Sequence, residues 1–183
     1  MIPDIQAELS STLSKNEKLI WWGQPKTGII FRSADIFLIP FTLVWFSFAL
    51  FFEFTAIAHG IIPPAIFGLL FCCAGAYIFA GRFFVDSLRR KNTIYGITDN
   101  RVIIKSGIFR KEITSLSIRN TPNLTLKEKA NGSGTIYLGA GDFQSTMTRS
   151  MGSWPGIKQP PGIELIDDVR SVYNLLVEQQ QRG

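Results

Sequence analysis

Between Ile36 and Gly81 the chain runs through 46 consecutive positions with one charged residue, Glu53, while the other 137 positions carry the remaining 32 charges. A water-soluble fold spreads charge over a surface that wraps its core, so this sorting excludes an ordinary single soluble domain despite a length of 183 residues. A helix that crosses a bilayer satisfies its backbone internally and needs roughly 20 apolar residues to cover about 30 Å. The run is long enough for two. A break is written into its middle by Glu53, by Ala58-His59-Gly60 and by Pro63-Pro64, the prolines suiting the first turn of a new helix. The pattern predicts a cytoplasmic N-terminal segment over 1–34, transmembrane helices over 35–57 and 63–86, and an external loop over 58–62.

Ala56-Ile57-Ala58 has the small residues of a signal-peptide cleavage site, but the polar stretch before it and the apolar stretch itself are both too long for a signal peptide. Lys15, Lys18, Lys26 and Arg32 precede the first span, Arg82, Arg89, Arg90 and Lys91 follow the second, and the connecting loop has no Lys or Arg. The positive-inside rule then places both termini in the cytoplasm. Glu53 lies roughly 26 Å along an ideal helix from Ile36, at the outer interface, which marks it as a boundary residue in preference to a proton relay.

Packing within the hairpin is also readable. Phe37, Phe41, Trp45, Phe48 and Phe52 recur at three and four as one aromatic stripe, and Gly68, Cys72, Ala76 and Ala80 recur at four as one stripe of small residues. Large-into-small packing within one chain follows if the stripes face each other. In the alternative the aromatics face lipid and the small stripe meets another copy, which leaves room for an oligomer.

After Lys91 the periodicity changes. Residues 93–98 and 101–107 are β-rich and joined by Asp99-Asn100, a hairpin pattern, with further strands expected over 112–118, 123–128 and 134–139. Residues 139–162 hold five glycines and three prolines and read as a long loop that presents Phe143, Met147, Met151 and Trp154 as a candidate partner contact. Ile166, Val169, Val172, Tyr173 and Leu176 recur at helical spacing behind Asp167 and Asp168, which predicts a C-terminal amphipathic helix laid across the sheet.

The residues that carry a family resemblance are Trp21-Trp22-Gly23-Gln24-Pro25-Lys26, the stretch from Asp35 to Phe41, Gly81-Arg82-Phe83-Phe84-Val85-Asp86, Tyr95-Gly96-Ile97-Thr98-Asp99-Asn100-Arg101, Gly134-Thr135-Ile136, and Ile166-Asp167-Asp168 with Val172-Tyr173. Together they resemble the bacterial pleckstrin-homology-domain membrane proteins. The resemblance implies an α+β membrane protein, in which a transmembrane helical hairpin is followed by a PH-like antiparallel β half-barrel capped by a C-terminal helix. The cytoplasmic domain would span 92–181, at the bacterial inner membrane. Eukaryotic relatives by fold bind phosphoinositides through basic residues in the first hairpin loop; here that loop is Asp99-Asn100.

Chemistry is bounded by what is scarce. There is one histidine, His59, and the two cysteines, Cys72 and Cys73, are adjacent, a spacing that strains a disulfide and matches no zinc site. Glycines 132, 134, 139 and 141 lack the Lys-Ser/Thr ending and the strand-to-helix order of a phosphate loop. No catalytic residue, cofactor or metal is expected. The net charge of +5 is uneven: residues 82–129 hold eleven Lys/Arg against four Asp/Glu, and the segments before and after are each −1. Arg82, Arg89, Arg90, Lys91, Arg101, Lys105, Arg110 and Lys111 form a candidate basic patch for the anionic leaflet, which attracts such residues at about 1 kcal/mol each near the surface. Few aromatics are interleaved with these charges, so nucleic acid is not an expected partner. The reading is a non-enzymatic membrane-anchored interaction module that binds a protein partner or the anionic membrane surface. The alternatives are a lipid-headgroup-binding domain and a small subunit of a larger membrane assembly.

Overall fold

The computed structural model describes residues 5–108, 110–121, 123–139, 148 and 160–182. The described residues divide into two compact units, one running Gly28–Ser87 and the other gathering those up to Thr27 with those from Leu88 onward.

The Gly28–Ser87 unit is a helical hairpin. Helix α2 spans Asp35–Ala58 and helix α3 spans Ile62–Ala76; a π-helical turn over Tyr77–Gly81 leads without a break into α4, Arg82–Lys91. The stretches Asp35–Ala58 and Ala65–Lys91 are long and apolar enough to cross a membrane. The expected aromatic stripe faces the partner helix only in part: Phe37, Phe41 and Phe48 are 79%, 66% and 70% exposed, while Trp45 is half-buried with its ring centre 5.9 Å from that of Phe71. Asp35, Thr42, Ala49 and Ala56 are buried in their place, at steps of seven, and the buried glycines of α3 are Gly68 and Gly75, again seven apart. Ala76 and Ala80 of the expected small stripe are exposed and Cys72 is half-buried. Seven-residue spacing keeps one face of each helix against the other over its whole length, and small residues there let two backbones approach where lipid offers no hydrophobic drive for association. A Cβ on Gly75 would stand 2.4 Å from Phe46 Cδ2, a measure of how close the helices come.

The second unit holds two antiparallel sheets. Strands β1 (Leu19–Gly23), β2 (Ile94–Thr98), β3 (Arg101–Ser106) and β4 (Glu112–Ser117) form a four-stranded sheet in that order, and β5 (Leu124–Glu128), β6 (Gly134–Leu138) and β7 (Gly162–Ile166) form a three-stranded one. Ile97, Val102, Ile104, Ile136, Ile163 and Ile166 meet Val169, Val172 and Leu176 of the C-terminal helix α5 (Val169–Arg182) in one core. The helix starts at Val169, later than the apolar spacing implies, because Ile166 ends β7 and Asp168 takes a left-handed φ of 45° between the two elements.

Two elements fall inside the N-terminal segment that sequence leaves unstructured. Helix α1 (Ile5–Ser10) packs Ile5 and Leu9 on Ile94 and Ile103, the face of the sheet opposite Val102 and Ile104. Every residue of β2 is therefore buried, which is why its sequence lacks polar alternation. Gly96 makes room, since a Cβ there would meet Leu9 and Leu19 at 3.3 Å. Strand β1 pairs Gly23 with Tyr95 and Trp21 with Ile97, with a bulge between Leu19 and Trp21.

The turn before β1 carries a buried carboxylate. Glu17, with its side chain 4% exposed, accepts from Arg101 Nε and Nη2 at 2.7 Å each, from Thr98 Oγ1 at 2.8 Å and from the Ser14 amide at 2.8 Å. The Arg101 guanidinium is the main cause that holds the Glu17 carboxyl down at about 2, against an ordinary 4.5. A carboxyl lowered on folding stabilises the fold fully above its unfolded value, and that stability is lost as pH falls through 4.5 toward 2. Glu17→Gln should lower unfolding free energy by about 3 kcal/mol near neutral pH. The difference from the parent should shrink steadily below pH 4.5 in urea titrations followed by tryptophan fluorescence; a pH-independent difference would refute the assignment. In the helical unit, Gly75→Leu should cost about 1–3 kcal/mol by overpacking, whereas Ala76→Leu, on the exposed face, should stay within about 0.5 kcal/mol. Sodium dodecyl sulfate titration of the purified protein followed by circular dichroism reads both.

Candidate functional site

Two charges of each sign meet at the base of the helical unit. Arg32 Nη2 reaches Asp86 Oδ1 at 3.2 Å and Arg82 Nη1 reaches Asp35 Oδ1 at 2.6 Å, with the Arg82 and Asp35 side chains 8% and 4% exposed. Asp35 Oδ2 also accepts from the Arg32 amide at 2.6 Å, and Arg82 Nε donates to the Ile78 carbonyl at 2.8 Å. The Arg82 guanidinium stands 4.5 Å from the centre of the Phe83 ring, which packs edge-on to Phe31 at 5.6 Å. The π-turn precedes this group. An extra residue in a helical turn rotates everything after it by about 100°, so Tyr77–Gly81 sets the direction in which Arg82 and Asp86 point. Sequence reasoning placed Arg82 among membrane-surface charges and gave Asp35 and Asp86 no role. The available signal was an Arg and an Asp at spacings of three and four on each side of the apolar run.

The other expected basic residues separate into three kinds. Arg90 is buried and donates through Nη1 to the Lys26 carbonyl. Arg101 is taken up by Glu17, and Lys105 and Lys111 converge on Glu8 at 3.0 and 2.5 Å, which lowers the Glu8 carboxyl, Lys111 contributing most. Arg89 is half-buried, and Lys91 and Arg110 are exposed; these three have no ion pair among the described residues. The eight residues therefore do not form one continuous exposed patch: Arg82 and Arg90 are inside, and three more share two carboxylates. Arg119, Lys127 and Lys129 add exposed charge at and beyond the β4–β5 turn, with Lys127 Nζ 5.4 Å from the centre of the Tyr137 ring. The expected partner-contact residues Phe143, Met147, Met151 and Trp154 lie outside the described residues, as does nearly all of the 139–162 loop.

The motif residues turn out to hold the fold. Tyr95 Oη accepts from the Glu164 amide at 3.1 Å and ties the two sheets together; burial pushes its phenol well up. Lys26 continues β1 toward β7 by donating its amide to the Leu165 carbonyl at 2.8 Å, and its ammonium meets Asp167 at 2.6 Å. Leu165 is held in a left-handed φ of 52° by a bulge in β7, and its amide donates to Thr135 Oγ1 at 3.2 Å. Gly134 lies so close to Val169 that a Cβ there would stand 2.7 Å from Val169 Cγ1. At the far end, Gln180 Nε2 donates to the Thr121 carbonyl at 2.8 Å and anchors the end of α5.

Among the described residues no group of three or more His, Cys, Asp or Glu side chains is placed to hold a metal ion. A family model for the bacterial PH domain matches residues 34–176. No curated protein and no solved structure matches the chain. The matched stretch, 143 of 183 residues, begins beside Asp35 of the buried ion group, takes in the hairpin and six of the seven strands, and ends at Leu176 in the core: the chain belongs to the bacterial PH domain family.

Proposed function

We propose that the protein is a non-enzymatic, two-span membrane-anchored binding module of the bacterial inner membrane, with both termini in the cytoplasm and a PH-like unit that binds the anionic leaflet or a protein partner. PH-like domains are protein- or lipid-binding modules as a class. The observation that carries the anchor is burial: each candidate span buries only 17% of its most apolar window. A core helix of a soluble protein would bury most of that surface, so the exposed phenylalanines of α2, together with Phe84 of α4 at 67% exposure, call for an apolar solvent.

Lipid is favoured over a protein partner as the first ligand of the PH-like unit by its mixture of exposed groups. Lys91, Arg110, Arg119, Lys127 and Lys129 are exposed cations, and Ile20, Trp22 and Leu88 expose large apolar side chains at 41%, 46% and 46%. Amphipathic Trp and long basic side chains are what a headgroup region accommodates.

Orientation is tested with a reporter active only outside the cytoplasm. Inserted at Gly60, where φ is 69° and nothing lies within 4 Å of a Cβ, it should be active, and fused after Arg182 it should be silent; the reverse pattern would refute the topology. Lipid attraction is tested with the full chain in neutral nanodiscs, mixed with phosphatidylglycerol vesicles. Co-flotation is expected at low salt and should fade as salt shortens the screening length. Replacing Lys91, Arg110 and Arg119 with Gln should weaken it roughly a hundredfold, from about 1 kcal/mol per charge. Absence of co-flotation at low salt would leave the protein-partner reading.

A further inference from the structure

Helices α2 and α3 leave a groove of about 250 Å³ along one side of their contact. Its floor is Ala49 and Gly68, both small and buried, and its sides are the exposed rings of Phe48, Phe52, Phe67 and Phe71. Trp45, half-buried, meets Phe71 across the two helices at 5.9 Å between ring centres and closes one end. From Trp45 to Phe52 the groove follows α2 for about 10 Å, at 1.5 Å per residue.

No charged residue is among the described lining, so an ion or a phospholipid headgroup has nothing to pair with there, and an uncharged chain matches it. On the two-span reading above, the groove runs along helices that cross the bilayer, the direction in which acyl chains lie. It opens among the same exposed phenylalanines that call for an apolar solvent, so the bilayer-facing surface of the hairpin continues into it. A helix of a second copy would reach the floor only past four projecting rings, whereas membrane helices associate where small residues let backbones approach. A methylene chain is thin enough to lie between those rings. A cavity of about 150 Å³ accepts benzene, and this groove is larger. We propose that it holds one acyl chain of a membrane phospholipid, seated on Ala49 and Gly68 and retained more firmly than the chains around the rest of the hairpin.

The test uses the full chain and phosphatidylglycerol with dibromostearoyl chains, whose bromines quench tryptophan on contact. Trp21→Phe, Trp22→Phe and Trp154→Phe leave Trp45 as the one tryptophan. A second reporter adds Trp45→Phe and Val44→Trp, which moves the indole one residue round α2 to an exposed position outside the groove. In brominated nanodiscs both reporters should be quenched relative to discs of unbrominated lipid. After exchange into detergent, native mass spectrometry should find a single phospholipid kept by each chain, and Trp45 should stay quenched while the reporter at position 44 recovers. Phe48→Ala and Phe71→Ala should each lower retention several-fold, whereas Phe51→Ala, which removes an exposed ring of α2 outside the groove, should not; circular dichroism reports that each variant keeps its helices. Recovery of both reporters in detergent with no lipid retained would overturn the groove site and leave the spans standing, as would equal loss in all three alanine variants. A dimer without retained lipid would overturn it in favour of a second copy. A reporter at position 44 that is unquenched in brominated discs would place α2 outside hydrocarbon, and the two-span reading would fall together with the site.

Discussion

Strands β1 and β2 are neighbours in the sheet but are separated in the chain by the entire helical hairpin. Gly23 must lie opposite Tyr95, and the Lys26 carbonyl must receive Arg90, so the chain that leaves after β1 has to come back to the place it left. An excursion of this kind needs two ends that stay together. In the sheet unit that role falls to the β1–β2 ladder and to Lys26 with Arg90. In the helical unit it falls to Arg32, Asp35, Arg82 and Asp86, the last charges before the apolar run and the first after it. Buried ion pairs of this kind add little net stability compared with apolar packing, but losing one partner strands the other. Their value here is positional: they fix which residue of the outgoing helix meets which residue of the returning one.

The same economy explains the motifs. Residues that stand out in the sequence as family signatures are occupied in holding the fold: Thr98 and Arg101 with Glu17, Tyr95 with Glu164, Lys26 with Leu165 and Asp167, Gly134 with Val169. Those side chains are thereby engaged within the fold.

How much was legible in the sequence followed the range of the interactions. The β2–β3 hairpin was, because its turn and both strands lie within the short stretch Ile94–Ser106, and the expected strands over 112–118, 123–128 and 134–139 fall within a residue of β4, β5 and β6. Strand β1 was not, since its partner lies beyond the hairpin and its bulge breaks the alternation. The apolar run was plain, but the face by which its helices meet was not. Among lipid-like side chains bulk says little about what is inside, and the informative pattern was Thr42, Ala49 and Ala56 against Gly68 and Gly75 at intervals of seven. The pairing of the basic residues is hidden from the sequence for a related reason. A count of charges cannot see that Glu8, Glu17 and Asp35 come from far away in the chain to meet Lys105, Arg101 and Arg82.

The position of β1 ahead of the hairpin has a consequence for biosynthesis. A ribosome delivers α1 and β1 first, then the whole apolar excursion, and only afterwards the strands that β1 and α1 pack against. Leu9, Trp21 and Glu17 therefore wait without their partners Ile103, Ile97 and Arg101 while the hairpin is being made. The N-terminal arm can complete its packing only after both helices have been synthesised. A chain stalled or misrouted at that step keeps an open strand edge and a dangling amphipathic turn, the features by which quality-control machinery recognises an unfinished protein.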